Sequence, residues 1–220
     1  MTEHVVSARQ LATRFPGNRA RCYAWCKYAT DPLYAAVYTA LADTTAPLLD
    51  VGCGMGLCSF YLRARGWQAP ITAIDVDANK IDVARHMSVL AAADLLFAQR
   101  DVRDGLPEHS GSVTILDTLQ YMNAAAQVAL LREATARVTV DGKLVIRSGM
   151  DTPSWRFALT RAGDWAAKLG VWIESAPVHY PRPDTLTAVL ESFGMRGTIR
   201  PLWGRTPFNN YLAVFAHPRS

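Results

Sequence analysis

Residues 48–77, LLDVGCGMGLCSFYLRARGWQAPITAIDVD, decide the fold of the chain. An apolar run breaks into the glycine-rich turn 52–56, and the helical pattern that follows stops at Gly66. A second apolar run, 71–74, ends in the acidic residue Asp75. This order of strand, glycine turn, helix, strand and acid is typical of a nucleotide-binding βαβ unit. The sequence therefore predicts an α/β fold built around this unit.

Two positions near the glycine turn bear on the kind of nucleotide. The dinucleotide fingerprint G-x-G-x-x-G needs a glycine at position 57, where this chain has Leu57. Asp50 precedes the first glycine by two residues, and its carboxylate suits a sulfonium and an α-ammonium group better than a pyrophosphate. Asp75 is placed to accept hydrogen bonds from two ribose hydroxyls. The unit therefore favours S-adenosylmethionine.

Strand and helix patterns alternate after this unit. Apolar runs at 95–98, 113–116 and 144–146 are predicted strands, and helical patterns cover 78–92 and 124–137. Alternation of this kind predicts a parallel sheet that binds its ligand at the carboxyl ends of the strands. Four acidic residues are expected at those ends: Asp50, Asp75, Asp101 and Asp117.

The chain of 220 residues is expected to form one domain with four parts. These parts are an N-terminal helical cap (1–46), a cofactor-binding core (47–147), an aromatic-rich helical insertion (148–183) and a C-terminal helix with a hairpin (184–220). The predicted sheet is mostly parallel with an antiparallel C-terminal hairpin strand, and helices cover both faces. The insertion is expected to line an acceptor pocket, or to form a satellite core or a dimer contact.

Composition narrows the classes of partner. The net charge is +4, but the basic residues of the C-terminal half are dispersed, so no nucleic-acid partner is predicted. Without a signal-peptide pattern or a spanning apolar stretch, a cytoplasmic protein with no membrane span is expected. Cysteine spacing predicts buried reduced thiols and no metal site. The oligomeric state is not indicated.

The motifs together resemble the class I S-adenosylmethionine-dependent methyltransferases. Residues 49–56 resemble the first motif of that family, 74–77 its ribose-binding acid, and 116–117 the motif that ends its fourth strand. The resemblance covers roughly residues 46–147. It implies that S-adenosylmethionine is the cofactor and S-adenosylhomocysteine the product. The residues that it implies around the cofactor are Asp50, Gly52, Cys53, Gly54, Asp75, Val76, Asp101, Val102 and Asp117.

Both ends of the chain show a narrower resemblance. Segments 23–34 and 201–211 are similar to methyltransferases of bacterial aryl-polyene pigment pathways. That resemblance implies C-methylation of an aromatic, phenolic head group, on a free acid or on an acyl chain bound to a carrier protein. Three alternatives stay open: an O-methyltransferase on another small molecule, a nucleic-acid methyltransferase, and a non-catalytic protein that binds S-adenosylmethionine.

Catalytic and acceptor-binding residues are predicted from the remaining motifs. A phenolic acceptor benefits from a base, for which His179, Tyr121 and Asp117 are candidates. Tyr23 and Lys27 share a helix face, and their spacing favours a surface ion pair and a core aromatic over a lid above the cofactor carboxylate. The predicted catalytic residues are His179 and Tyr121, and the predicted substrate pocket comprises Tyr23, Lys27, Trp203 and Arg205, the last as a fork for a carboxylate.

Overall fold

The computed structural model describes residues 8–89, 94–169, 177–204 and 206–218. Within these residues, seven strands form one sheet in the order β3-β2-β1-β4-β5-β7-β6. Strand β7 is antiparallel to both of its neighbours, whereas β1 to β5 pair in parallel. The strands are β1 Leu48–Val51, β2 Ile71–Asp75, β3 Leu95–Gln99, β4 Ser112–Leu116, β5 Leu144–Gly149, β6 Arg196–Pro201 and β7 Asn210–Ala216. The predicted fold is confirmed.

Eight α-helices accompany the sheet in the described residues, together with two 3₁₀ turns at Val102–Asp104 and Leu119–Tyr121. None of these helices is long and apolar enough to cross a bilayer. The helices are α1 Ala8–Thr13, α2 Gly17–Thr30, α3 Leu33–Ala40, α4 Leu57–Ala64, α5 Ala78–Ser88, α6 Ala124–Thr135, α7 Trp155–Leu169 and α8 Pro183–Ser192.

The sheet is covered on both faces, and each face has its own hydrophobic core. Leu48 of β1 packs into one core with residues of α3, α4 and α5, whereas its neighbour Leu49 packs into the other with residues of α6 and α8. Successive strand residues point to opposite faces, so a strand buried on both sides has a continuous apolar sequence. This explains why the predicted strands were apolar runs without alternation.

Strand β5 extends beyond its predicted end at residue 146. Ser148 and Gly149 continue the strand because they pair with Tyr211 and Asn210 of the antiparallel β7. The extension brings Arg147 inside the sheet, with 4% of its surface exposed. A buried cation therefore lies at the carboxyl end of a central strand.

The predicted burial of the thiols is wrong for two of the four cysteines. Cys22 and Cys26 are exposed on α2, whereas Cys58 is buried and Cys53 is half-buried. The physical reason is that α2 buries only Ala24 among its residues. The helix lies on the outside of the molecule, and its apolar residues do not form a core-facing stripe.

Candidate functional site

The turn after β1 is shaped by glycines. Gly52, Gly54 and Gly56 have φ values of 73°, 55° and 77°, in the left-handed region that L side chains rarely adopt. A Cβ atom on Gly52 would overlap the hydroxyl of Thr118, and one on Gly56 would lie 2.7 Å from the Phe97 ring. The turn is therefore closely packed against Thr118 and Phe97, and side chains at Gly52 and Gly56 would not fit.

Asp75 ties the end of β2 to this turn. One carboxylate oxygen accepts a hydrogen bond from the Gly54 backbone N–H at 2.7 Å, and the other accepts one from the Asp77 N–H at 2.9 Å. Each oxygen of a carboxylate has two lone pairs, so Asp75 keeps acceptor capacity for hydroxyl groups. The adjacent Val76 is exposed and presents an apolar surface beside that acid. The positions of Asp75 and Val76 suit a ribose and an attached nucleobase.

Asp101, at the carboxyl end of β3, is held by its neighbour Arg103. The Arg103 guanidinium and backbone N–H both donate to the Asp101 carboxylate, and these bonds lower its pKa. Val102 packs against the core from the first turn of the 3₁₀ segment. The contact of Asp101 and Val102 with the adenine stays a prediction.

Asp50 lies behind the turn, with 1% of its surface exposed. The hydroxyl of Thr114 donates to one carboxylate oxygen at 2.8 Å, and that of Ser59 donates to the other at 3.1 Å. Burial raises the pKa of this carboxyl to about 6, although both hydroxyl groups favour the charged form. Asp50 therefore supports the turn from below, and its contact with an α-ammonium group stays a prediction.

Four charged side chains form a partly buried network at the ends of β4 and β5: Lys27, Asp31, Asp117 and Arg147. The Arg147 guanidinium bonds the Asp117 carboxylate and, at 3.1 Å, one Asp31 oxygen. Lys27 lies 2.9 Å from the same Asp31 oxygen and 3.7 Å from Asp117. Asp117 has a φ of 56°, which is strained for a residue with a side chain. The network joins the α2–α3 junction to the sheet.

Opposite charges balance inside this network. Burial alone would raise the pKa of Asp31, but Arg147 and Lys27 outweigh it and hold the pKa below its usual value. Burial likewise disfavours the charged forms of Lys27 and Arg147, yet the nearby carboxylates raise both pKa values. Because two cations face two anions, the network has no surplus charge to offer a ligand.

The interpretation of Tyr23 as a core aromatic is wrong, whereas Lys27 does form an i,i+4 ion pair, with Asp31. Tyr23 is 37% exposed, and the side chain of Lys27 is 25% exposed and lies near Asp117 as well as Asp31. Sequence reasoning also missed Asp31 and Arg147 as members of this network. An arginine within an otherwise apolar strand, LVIRSG, is the signal that could have identified Arg147, since a buried cation needs a carboxylate partner.

Two of the residues predicted for the substrate pocket, Trp203 and Arg205, belong to the loop after β6. Trp203 follows β6, and its ring meets that of Tyr211 edge-on with centroids 6.3 Å apart. A Cβ atom on Gly204 would come within 2.7 Å of Pro32, so this loop packs on the α2–α3 junction. Arg205 lies outside the described residues.

The two predicted catalytic residues come from segments that meet through their backbones. The His179 N–H donates to the carbonyl of Gln120 at 3.2 Å, and the His179 carbonyl accepts from the Gln127 amide at 2.8 Å. Tyr121 follows directly in the 3₁₀ turn after β4. The His179 side chain is exposed and that of Tyr121 is half-buried. Their catalytic roles stay predictions.

Comparison with known proteins shows that the chain is similar to methyltransferases. A family model described as a methyltransferase domain matches residues 48–142. An uncharacterized methyltransferase of Mycobacterium bovis is 30% identical over 68% of this chain and 79% of its own. A ubiquinone biosynthesis O-methyltransferase of Xanthomonas axonopodis is 29% identical over 77% of this chain and 71% of its own.

Solved structures agree on the fold. Magnesium protoporphyrin IX methyltransferase from Synechocystis, solved with bound S-adenosylhomocysteine, aligns with a TM-score of 0.66 at 16% identity, over 96% of this chain and 92% of its own. The pyocyanin biosynthetic protein PhzM aligns with a TM-score of 0.69 at 17% identity, over 96% of this chain, which spans 62% of its length. The chain belongs to the class I S-adenosylmethionine-dependent methyltransferases, and S-adenosylmethionine is its cofactor.

Proposed function

We propose that this enzyme methylates a small aromatic, phenolic acceptor. The observation that carries the proposal is the presence of two aromatic pairs near the carboxyl end of β5. Trp203 and Tyr211 form one edge-to-face pair there, and Phe157 and Tyr180 form another with centroids 5.2 Å apart. The Tyr180 ring lies 3.2 Å from the Cβ position of Gly149, the last residue of β5. Aromatic rings pack well edge-to-face and offset, which suits a planar acceptor.

The cofactor in this proposal is held by the predicted residues of the first four strands. The glycine turn 52–56 accommodates the methionyl chain, and Asp75 binds the ribose. Val76 and Val102 enclose the adenine, and Asp101 accepts a hydrogen bond from its exocyclic amine. Asp117 and Lys27 face the reacting end. Cys53 lies within the turn, and its thiol is mostly buried, so it lines the cofactor site without taking part in the reaction.

Methyl transfer needs a nucleophile in line with the sulfonium. A phenol that loses its proton to a base, His179 or Tyr121, becomes nucleophilic at its oxygen and at its ortho carbons. The new bond forms as the sulfur takes the electron pair of the breaking S–CH₃ bond, and carbon attack is followed by proton loss from the ring. Positioning supplies about 7–11 kcal/mol in well-oriented systems. The resemblance to pigment-pathway enzymes favours the carbon, whereas the O-methyltransferase name of one relative favours the oxygen.

A labelled-methyl assay tests the proposal. Hydroxybenzoic and hydroxycinnamic acids, free and bound to a carrier protein, should accept the label in the presence of this enzyme. The chemical shift of the transferred methyl carbon distinguishes an aryl methyl from a methyl ether. Calorimetry with S-adenosylhomocysteine checks that the protein is active in binding. Normal binding without transfer to any phenol would overturn the proposal, and transfer to RNA would support the nucleic-acid alternative.

Two finer predictions belong to this proposal and are tested by the same assay. Preference for a carrier-bound acceptor would support the aryl-polyene role and a carrier-protein partner. Binding of the cofactor without transfer to any acceptor would support the non-catalytic alternative. The division into one domain with a cap, a core, an insertion and a hairpin stays a prediction, as does the cytoplasmic location.

A further inference from the structure

Arg156, in the first turn of α7, is fixed between two tryptophans. Its guanidinium carbon lies 4.7 Å from the ring centroid of Trp155 and 4.6 Å from that of Trp203. One of its terminal nitrogens donates to the Thr206 carbonyl at 2.8 Å. Contacts with two indole rings and a carbonyl hold the plane of the guanidinium in one orientation. An arginine held in this way has already lost the side-chain freedom that binding a ligand would otherwise cost.

The guanidinium of Arg156 has N–H donors that no described residue uses. A guanidinium carries five N–H groups, and within the described residues only the bond to Thr206 uses one. Nor does any acidic side chain of the described residues form an ion pair with Arg156. Lys27 and Arg147 differ in this respect, because both are paired with carboxylates. Within the described residues, Arg156 therefore differs from these two cations in having no carboxylate partner, and it can bind an anionic ligand.

Trp203 adds a second donor beside Arg156. Its indole N–H is buried and bonds no acceptor among the described residues. Leaving a buried donor unpaired costs about 1–3 kcal/mol, so such groups are rare unless something else binds them. A ligand oxygen next to the guanidinium would satisfy this N–H and gain a charge-assisted bond from Arg156.

These two donors lie at the acceptor end of the candidate site. Trp203 contacts Tyr211, which pairs with Ser148 in β5, one residue beyond the charge network. The next residue, Gly204, lies against Pro32 of the cap. An acceptor that extends from the cofactor along the end of β5 would therefore reach Trp203 and Arg156 with its distal group.

We propose that Arg156 and Trp203 form a subsite for the carboxylate of an aromatic acid acceptor. The guanidinium fork binds the two carboxylate oxygens, the indole N–H donates to one of them, and the indole rings pack on the aryl part. The proposal rests on the proposed function and adds that the acceptor is a free acid with a terminal carboxylate. It also assigns to Arg156 the fork that the sequence suggested for Arg205.

Equilibrium binding to the complex with S-adenosylhomocysteine tests the subsite without turnover. The probes are 4-hydroxycinnamate and its methyl ester, followed by calorimetry and by the fluorescence of the tryptophans. Arg156→Gln should weaken binding of the acid at least tenfold and that of the ester less than twofold. Arg156→Lys, which keeps the charge but loses the fork, should fall between. S-adenosylhomocysteine should bind all variants equally.

Two further variants separate recognition from packing. Arg161→Gln removes an exposed charge from the same helix and should leave acid binding unchanged. Trp203→Phe keeps a ring and removes the unpaired N–H, so it should weaken acid binding several-fold while leaving the folded protein at least as stable. If Arg156 only attaches α7 to the loop after β6, Arg156→Gln should weaken binding of the acid and of the ester equally.

The outcomes distinguish this subsite from the proposed function. Tighter binding of the acid than of the ester, lost in Arg156→Gln, supports the subsite. Acid binding that survives Arg156→Gln, or that falls equally in Arg161→Gln, overturns it even when phenols are methylated. A wild-type protein that binds S-adenosylhomocysteine but methylates no phenol overturns the proposed function and the subsite with it.

Discussion

The two halves of the carboxyl edge of the sheet are built from different kinds of contact. Beyond β1 and β2, backbone groups determine the geometry: three glycines with positive φ, and N–H groups that donate to Asp75. Beyond β4 and β5, side chains determine it: the charge network around Arg147 and the aromatic pairs near Tyr211. The glycine turn and Asp75 are close in sequence, whereas the charge network joins Asp31 to Arg147, which lies more than a hundred positions further along the chain.

This difference predicts that the cofactor half tolerates substitution least. Gly52→Ala should weaken S-adenosylhomocysteine binding at least about 100-fold, because the new Cβ overlaps Thr118 and the left-handed φ itself costs about 1–2 kcal/mol. Calorimetry measures the affinity. Gly66→Ala is the matched control: its φ is 89°, but nothing lies within 4 Å of the added Cβ. The control variant should be destabilised only by the cost of its left-handed φ, and it should bind S-adenosylhomocysteine normally. Equal affinities of both variants for S-adenosylhomocysteine would contradict a closely packed turn.

The same difference explains what the sequence could and could not predict. The strand, the glycine turn and the acid of 48–77 lie within thirty residues, so their spacing alone indicates the fold and the cofactor. Lys27, Asp31 and Arg147 come together only when the α2–α3 junction packs against the end of β5. The spacing of these residues in the sequence does not predict that contact. The burial of Asp50 was missed for a similar reason, because Ser59 and Thr114 reach it from two other elements.

Breaking the charge network should have the largest effect on the free energy of unfolding. Arg147→Met leaves Asp31 and Asp117 without their main cation in a buried place, and loss of one partner from a buried pair costs about 3–5 kcal/mol. Urea denaturation measures the free energy of unfolding. The double variant with Asp31→Asn should recover part of the loss, since one unpaired charge is removed. A loss below about 1 kcal/mol in the single variant would show that the network is solvated.

Asp50 provides a pH-dependent test of the cofactor half. Its pKa is raised from 3.8 to about 6 in the folded protein, so the folded state binds more protons than the unfolded state between these values. The stability that this group contributes is therefore complete below pH 4 and is lost as the pH rises through 6. The stability of Asp50→Asn relative to the wild type should rise by about 2–3 kcal/mol from pH 4 to pH 7.

Urea denaturation of both proteins at each pH gives this difference. Other carboxyl groups, such as Asp31 and Asp101, have lowered pKa values, so the stability that they contribute is lost as the pH falls. These groups are present in both proteins. Their effects cancel in the comparison. A difference that does not change with pH would mean that water reaches Asp50 in the folded state.

The smallest effect compares one lysine from each half. Lys27 and Lys80 both lie 2.9 Å from an aspartate, Asp31 and Asp77, but their side chains are 25% and 42% exposed. Lys27 also faces Asp117, whereas Lys80 belongs to an i,i+3 pair on the surface of α5. Lys27→Met should cost about 1 kcal/mol and Lys80→Met about 0.3 kcal/mol, because exposed pairs contribute little.

Salt dependence sharpens this last comparison. Screening weakens exposed pairs more than partly buried ones, so 1 M salt should abolish the cost of Lys80→Met and leave most of that of Lys27→Met. Hydrogen exchange of α2 should quicken only in the Lys27 variant, because Lys27 is one of the few groups that attach this helix to the sheet. Equal costs and equal salt dependence would show that the Lys27 pair is as solvated as the Lys80 pair, and Arg147 with Asp31 would then be the buried ion pair that joins α2 to the acceptor half in the described residues.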